Sequence, residues 1–404
     1  MRWNKSLNRL MTIAAVGLGL CATAGGAARY QVLHAFGKDT DGGGLWSSVT
    51  LDEKGNLYGA TSGGGIYNQG IVFRLAPHSN GNWTEAVLHN FPSSSDDGEG
   101  PNGGLIEDRQ GNWYGTTKGG GTYHTAGTVF ELSHGSSGWA ETILYNFGAQ
   151  HGDEGQPTAG LVADSTGKLY GTTETTTFEL SPGLGPDSWK ETILHRFGIR
   201  KGDGGGSYAG LILNAAGNLY GTTEGGGAYN GGTVYEVERA ASGWKEKVLH
   251  SFAVNYTDGH TPGWGALVMD AKGSLYGTTA GGGCCGGVVF KLAPRSDGKW
   301  KETILYQFQG GAMGFEAGAG VVMDKAGNLY GTTINGGSGC ACGVVYKLAP
   351  GPKGKWTYTL LHTFSGSDGA QPDANLILDD KGNLYGTTAT GGAYGGGVVF
   401  EITP

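Results

Sequence analysis

One short motif recurs at a nearly constant interval along the chain and limits the folds that the chain can adopt. The tripeptide Leu-Tyr-Gly or Trp-Tyr-Gly occurs seven times, and its tyrosines are separated by 56, 56, 50, 56, 54 and 55 residues. These tyrosines are Tyr58, Tyr114, Tyr170, Tyr220, Tyr276, Tyr330 and Tyr385. Seven copies at a period of about 55 residues are typical of a β-propeller or a solenoid.

Each copy contains four short segments with strand character, separated by turn residues. In the sixth copy, Asp324 to Asn328 predicts a hairpin turn, and the segment 329–333 predicts the strand that follows it. A glycine-rich loop then leads to a third strand, such as residues 128–132, and a fourth strand runs from a tryptophan to a phenylalanine, as in 139–147. Four strands per repeat match the blade of a propeller.

The two ends of the chain are offset by one strand. A lone fourth-strand segment, residues 30–36, precedes the first copy, and the last copy ends after its third strand, residues 398–402. In a closed ring the N-terminal strand completes the C-terminal blade and removes a free sheet edge. We therefore predict an all-β fold, a seven-bladed β-propeller of four-stranded blades closed in this way. We assign residues 25–404 to this single domain.

Residues 1–24 have the features of a bacterial signal peptide. Three basic residues precede an apolar run at 10–20, and small residues at 22–24 form a cleavage site. We expect a protein that is secreted, periplasmic or on the cell surface. A lipoprotein acylated at Cys21 is the alternative, although Leu20 lies where a small residue is normally needed. Since no later apolar run reaches about 18 residues, we expect no transmembrane segment.

Composition excludes some classes of protein. The 82 glycines have no collagen-like period and indicate many tight turns. The 19 Tyr, 13 Phe and 10 Trp residues supply enough apolar surface for a core, so the glycine content does not imply disorder. The net charge of −8 is spread along the chain and no basic stripe is present, which argues against nucleic acid as a partner. We expect a monomer.

The repeated pieces resemble a known family. Gly-Asn-Leu-Tyr-Gly-Thr-Thr, Gly-Thr-Val-Phe-Glu-Leu and Trp-x-Glu-Thr-x-Leu-Tyr-x-Phe are similar to the choice-of-anchor tandem repeats called GloVer, found in exported bacterial proteins. The resemblance implies a surface or extracellular location and brings no established activity and no catalytic residues. The sequence departs from anchored members by lacking a C-terminal sorting segment, so we expect no cell-wall anchor. The Asp-x-x-Gly-Asn-Leu-Tyr hairpin is more loosely similar to NHL-type propellers.

Two kinds of loop are expected on one face of the ring. The first kind joins strand four to the next strand one and carries an Asp near a Gly, at Asp41, Asp97, Asp153, Asp203, Asp258 and Asp368. A ring of such loops can gather calcium, which takes several oxygen ligands, but a repeated Asp-Gly is more typical of a turn. Met313, Phe315 and Glu316 replace it in the sixth loop. The second kind is the glycine-rich loop, which the third copy lacks.

Residues that break the repeat are the better candidates for a ligand site. The candidates are Trp46 and Trp264 before first strands, Tyr123 and His124 in a glycine-rich loop, and the carboxylates Asp258 and Glu316. Exposed aromatic rings at a channel mouth can stack on sugar rings; the alternative is that they fill space beside glycines. We assign no catalytic residue, no cofactor and no metal ligand.

Five histidines occupy one position of the fourth strand. They are His34, His89, His195, His250 and His362, and the other two copies have Tyr145 and Tyr306 there. A group that is interchangeable with tyrosine is a poor candidate for a ligand or base. By strand alternation we interpret these rings as packing between blades, with a satisfied polar tip.

Four cysteines follow the signal peptide. Cys284 and Cys285 lie in one glycine-rich loop, and Cys340 and Cys342 lie in the equivalent loop of the next copy. In an exported protein such cysteines favour disulfides, which can close within each loop or bridge the two. A four-thiolate zinc site is the alternative, but the usual Cys-x-x-Cys spacing is absent.

The sequence contains no nucleophile elbow, no His-Glu-x-x-His, no phosphate loop and no dinucleotide fingerprint. Our leading hypothesis is a non-enzymatic binding or surface-interaction propeller for a glycan or another envelope component. The alternatives are a secreted carbohydrate-active hydrolase or lyase that uses carboxylates such as Asp153, Asp258 or Glu316, and a purely structural spacer.

Overall fold

The computed structural model describes residues 28–92, 97–123, 126–148, 155–183, 188–241, 243–254, 258–262, 264–283 and 286–404. In this part of the chain, seven four-stranded antiparallel blades form a β-propeller, which confirms the predicted fold class. The predicted signal peptide, residues 1–24, lies outside the described residues and stays a prediction.

The two inner strands of each blade form a short hairpin beside the central channel. The first strands are Thr50–Leu51, Ile106–Glu107, Val162–Ala163, Ile212–Leu213, Val268–Met269, Val322–Met323 and Ile377–Leu378. The second strands are Leu57–Thr61, Trp113–Gly120, Leu169–Thr172, Leu219–Thr223, Leu275–Thr279, Leu329–Thr333 and Leu384–Thr388.

The two outer strands form a longer hairpin. The third strands are Ile71–Pro77, Thr128–Gly135, Thr176–Ser181, Asn230–Ala240, Val288–Pro294, Val344–Pro350 and Val398–Thr403. The fourth strands are Trp83–Asn90, Gly138–Asn146, Lys190–Arg196, Gly243–Ala253, Trp300–Gln307, Trp356–Thr363 and, for the seventh blade, Arg29–Ala35.

The hairpin turn between the first and second strands is built from side chains of its own residues. In the sixth blade, the Asp324 carboxylate accepts hydrogen bonds from the backbone N–H groups of Ala326 and Asn328, each at 2.9 Å. The hydroxyl of the motif residue Tyr330 donates to the same carboxylate at 3.1 Å. The repeated Asp and Tyr therefore fix the turn, and this role explains why they recur.

The ring closes between the two ends of the chain. Arg29–Ala35 pairs antiparallel with Val398–Thr403, so that Tyr30 lies opposite Ile402. The Thr387 hydroxyl also donates to the Ser47 carbonyl oxygen of the first blade at 3.0 Å. The predicted closure by the N-terminal strand is confirmed.

The core lies between blades. Each of the seven buried apolar clusters draws residues from two neighbouring blades. At the closure, Phe36 packs on Phe73 with ring centroids 4.8 Å apart, and Tyr385 lies in the same cluster. The glycine after each motif tyrosine makes room for such rings: a Cβ on Gly59 would lie 2.6 Å from the Phe73 ring.

The remaining elements lie in the loops. In three blades, short two-residue strands pair the loop after strand four with the glycine-rich loop, so these two kinds of loop lie together. The pairs are Gly42–Gly43 with Gly63–Gly64, Gly204–Gly205 with Gly225–Gly226, and Gly259–His260 with Gly281–Gly282. In the second blade Gly98–Pro101 pairs with Trp113–Gly120. Two 3-10 turns occur in the described residues, Gly311–Met313 and Pro352–Gly354. No helix within these ranges is long and apolar enough to cross a membrane.

Removing the closing strand should destabilise the whole ring. We expect a chain that begins at Gly37 instead of Ala28 to melt at a lower temperature and to self-associate, because Val398–Thr403 becomes a free edge. The loss of the buried Leu33 and Phe36 alone removes about 1.5–3 kcal/mol each. Thermal unfolding and size-exclusion chromatography measure both effects, and a synthetic peptide of residues 28–36 should reverse them. Equal melting temperatures for the two chains would contradict this.

Candidate functional site

A cavity at the mouth of the central channel is lined by one position of the repeat. This position lies twelve residues before each motif tyrosine, as Trp46 does before Tyr58. Its seven members are Trp46, Asn102, Thr158, Tyr208, Trp264, Gly318 and Asp373. All of them except the glycine line a cavity of about 810 Å³, which we call the channel mouth. That volume is in the range of small-molecule binding sites.

A second repeat position adds polar groups to the channel mouth. It follows each motif tyrosine by four residues and comprises Ser62, Lys118, Glu174, Glu224, Ala280, Ile334 and Ala389. Ser62, Lys118 and Glu174 line the mouth, together with Glu99. At this position the first four blades carry polar residues and the last three carry apolar ones. The residue type thus varies between copies at the positions that line the mouth, whereas it is the same or similar at the positions that pack in the core.

Both predicted tryptophans lie at the channel mouth. Trp46 is 46% exposed and Trp264 is 37% exposed, although each ring also contacts a glycine position. A Cβ on Gly44 would lie 3.3 Å from Trp46 Nε1, and one on Gly318 would lie 2.8 Å from Trp264 Cε3. The two tryptophans therefore fill space beside glycines and also present aromatic surface to the cavity.

The mouth also holds a carboxyl group that sequence reasoning missed. Burial, and then the negative charge of Glu316, raises the pKa of Asp373 to about 7. Glu316 accepts a hydrogen bond from the Asn335 side-chain amide at 2.5 Å. Across the mouth, burial and then a hydrogen bond to Glu174 raise the pKa of Tyr208 to about 12. A comparison of the seven copies at the position twelve residues before the tyrosine would have found both Asp373 and Tyr208.

The other predicted site residues lie elsewhere. Tyr123 is half exposed, its Cβ lies close to Gly148, and it is not among the residues that line the mouth. His124 and Asp153 are outside the described residues, so their roles stay predictions. Asp258 accepts hydrogen bonds from the backbone N–H groups of Ala253 and Gly259, each at 2.9 Å, and belongs to a different group of side chains.

That group is a histidine with two carboxylates at the contact between neighbouring blades. The histidine comes from the fourth strand of one blade, the aspartate from the loop that follows it, and the glutamate from the fourth strand of the next blade. In the described residues this His–Asp–Glu cluster occurs four times: His34, Asp41 and Glu85; His89, Asp97 and Glu141; His195, Asp203 and Glu246; His250, Asp258 and Glu302.

The clusters extend our interpretation of the fourth-strand histidines. Each ring does pack on the phenylalanine two residues later, as His34 does on Phe36 with centroids 4.4 Å apart. However, His34 Nε2 lies 3.0 Å from Asp41 Oδ2 and 3.9 Å from Glu85 Oε2. The aspartate makes the predicted turn, since its Oδ1 accepts from the Gly42 N–H at 2.8 Å. Its second oxygen faces the histidine, and sequence reasoning missed the glutamate.

Burial changes the acidity of the four cluster glutamates. The pKa values of Glu85, Glu141, Glu246 and Glu302 are all raised, first by burial and then by the neighbouring aspartates. Burial lowers the pKa of His195 and of His250, and the neighbouring aspartates oppose this effect. The glutamate pKa values are raised because, in each cluster, two carboxyl groups lie close together in partly dehydrated surroundings.

One of the two cysteine pairs is closed within its own loop. Cys340 is disulfide-bonded to Cys342. This bond uses two of the thiols that a four-thiolate zinc site needs. Cys284 and Cys285 lie outside the described residues, and their pairing stays a prediction.

Fold and site together define a seven-bladed propeller with a ligand-sized mouth formed by the variable positions of its repeat. The sequence profile of the Gloeobacter/Verrucomicrobia repeat matches residues 22–179, 174–303 and 285–404. The chain belongs to this family, which confirms the resemblance drawn from the motifs. No curated protein matches the sequence.

Solved structures support the fold alone. The chain is similar to the extracellular domain of a protein described as a hybrid two-component system from B. thetaiotaomicron, with 12% identity and a TM-score of 0.57 over 94% of this chain and 42% of that one. It is also similar to a protein described as a 6-phosphogluconolactonase from Bacteroides uniformis, with 11% identity and a TM-score of 0.53 over 83% and 89% of the two chains. At such identities the likeness concerns architecture and not activity.

The buried carboxyl of Asp373 should make stability depend on pH. Its pKa is raised from 3.8 to about 7, so between those pH values the unfolded chain releases a proton that the folded chain keeps. The folded state therefore loses stability as the pH rises through this range. One pKa unit corresponds to about 1.4 kcal/mol, so Asp373→Asn should raise the free energy of unfolding by at least about 1 kcal/mol at pH 8 and leave it unchanged at pH 4.

Urea denaturation at several pH values measures this difference. Asp380→Asn is the matched control, because the Asp380 side chain is fully exposed. The same pH profile for wild type and Asp373→Asn would show that Asp373 titrates normally.

Proposed function

We propose that the protein is a non-enzymatic binding propeller that holds a glycan at the channel mouth. The observation that carries the proposal is the placement of Trp46 and Trp264, both partly exposed, among hydrogen-bonding side chains around one cavity. Aromatic rings present flat apolar surface, and amide, hydroxyl and carboxylate groups bond hydroxyls. A sugar offers both kinds of surface, so the lining matches this ligand class.

The charge of the mouth favours a neutral glycan. Glu99, Glu174 and Asp373 face the cavity, and Lys118 is the one cationic side chain among its lining residues in the described part of the chain. A polyanionic sugar chain would meet like charge there. Export is part of the same proposal. It is supported by the signal-peptide features of residues 1–24, and an exported protein would meet envelope or extracellular glycans.

A carbohydrate-active hydrolase or lyase is the second candidate. It is favoured by one observation, the carboxyl of Asp373, which lies at the mouth, contacts the same glycine position as Trp264 and has a pKa raised to about 7. A carboxylic acid that keeps its proton near neutral pH can protonate a leaving group. In this case Glu316 would be the second carboxylate.

The tryptophans should dominate glycan binding. We expect the mature protein to bind one or more neutral polysaccharides on a glycan array, and the double variant Trp46→Ala, Trp264→Ala to bind at least tenfold more weakly, a loss of about 1.4 kcal/mol. Titration calorimetry with the best polysaccharide measures the loss. Tyr229→Ala is the matched control, since Tyr229 is more exposed than either tryptophan and does not line the mouth.

The same mixtures are assayed for released sugars. Binding without product supports the recognition function, whereas product that disappears in Asp373→Asn supports the hydrolase. If no polysaccharide binds and none is cleaved, the mouth is not a glycan site and a structural or protein-binding role follows.

A further inference from the structure

We propose that the four His–Asp–Glu clusters are metal sites, each holding one divalent ion of the zinc class between two neighbouring blades. Each cluster offers one imidazole nitrogen and two carboxylates. This donor set suits Zn²⁺ and similar first-row ions, which bind imidazole and carboxylate together. It does not suit Ca²⁺, which takes six to eight oxygen ligands. The proposal does not depend on the glycan site.

The distances fit a single small ion. Between the first and second blades, His89 Nε2 lies 3.3 Å from Glu141 Oε2 and 3.8 Å from Asp97 Oδ2. In every cluster the three ligand atoms lie within 4.8 Å of one another. Ligands at about 2.0–2.2 Å from a tetrahedral zinc are themselves about 3.3–3.6 Å apart. The side chains therefore need only small rotations to share one ion.

Two of the clusters contain a buried carboxylate oxygen that has no hydrogen-bond partner. The Asp203 side chain is 2% exposed, and its Oδ2 has no hydrogen-bond partner. The Glu141 side chain is 9% exposed, and its Oε1 also has none. Burying a carboxylate oxygen without a partner is costly. A divalent cation bound to both carboxylates would balance their charge.

At one blade contact all three cluster residues are replaced. At the contact between the fifth and sixth blades, Tyr306 replaces the histidine and Tyr358 replaces the glutamate, and the two rings stack with centroids 4.8 Å apart. Gly314 lies next to Met313 where other loops have the Asp-Gly pair. At this contact the histidine, the glutamate and the aspartate are therefore all replaced. Between the second and third blades, by contrast, Tyr145 replaces the histidine and Glu191 is kept at the glutamate position.

Metal content tests the proposal directly. The mature chain is treated with a chelator, dialysed against Zn²⁺ and analysed for bound metal; we expect about four equivalents, and a visible spectrum of tetrahedral Co²⁺ when cobalt replaces zinc. Glu141→Gln should reduce the content by one equivalent, and replacing Glu85, Glu141, Glu246 and Glu302 together should remove all four. Each variant is checked for folding by circular dichroism.

Two further variants separate a metal site from a structural role. Glu191→Gln is the matched control: Glu191 has the same strand position, but Tyr145 replaces the histidine and donates to it at 3.2 Å, so the metal content should not change. Tyr30→Glu should add a site, because His362 and Asp368 already lie 3.1 Å apart and Tyr30 occupies the glutamate position, stacked on His362.

A folded fourfold Glu→Gln variant that keeps the full zinc content would overturn the proposal. It would equally fail if the wild type bound no zinc, or if only Ca²⁺ bound, because the clusters would then hold protons or the loops would bind calcium through oxygen alone. A gain of one equivalent in Tyr30→Glu, together with the loss of one in Glu141→Gln, would establish the sites.

Discussion

Each blade of this propeller depends on its neighbours to bury its apolar faces. A twisted four-stranded sheet has two faces, and here every buried cluster combines side chains from two adjacent blades. The ring must therefore close, or two faces remain in water. Closure relies on the pairing of Arg29–Ala35 with Val398–Thr403, supported by the contact of Phe36 with Phe73. The seven near-identical copies are consistent with this requirement.

The division between packing and variation follows from the same requirement. The motif tyrosine and the glycine beside the third-strand ring recur in every blade, because each satisfies a local need there. The hairpin aspartate recurs in all blades but the fourth, where Asn214 accepts the same backbone hydrogen bonds. The position twelve residues before the tyrosine faces the channel mouth instead of a neighbouring blade. It is therefore free to differ, and it carries Trp46, Trp264 and Asp373. A symmetric scaffold thus has an asymmetric mouth.

The repeat allowed much of the fold to be predicted and only part of the site. Trp46 and Trp264 stood out because tryptophan is conspicuous against a uniform repeat, and both lie at the mouth. Asp373 and Tyr208 occupy the same repeat position but were missed, since neither residue is unusual in a loop. Asp258, by contrast, was grouped with the tryptophans, and its contacts instead place it with His250 and Glu302.

By itself, the sequence determined the blade number, the strand order, the closing strand and the family, because period, turn residues and strand alternation are local properties that repeat. The tertiary structure decided which side chains meet. His89 and Glu141 are 52 positions apart in the chain, yet their polar atoms lie 3.3 Å apart because consecutive fourth strands pack side by side. Such contacts depend on how blades are rotated about the ring axis, which no local pattern encodes.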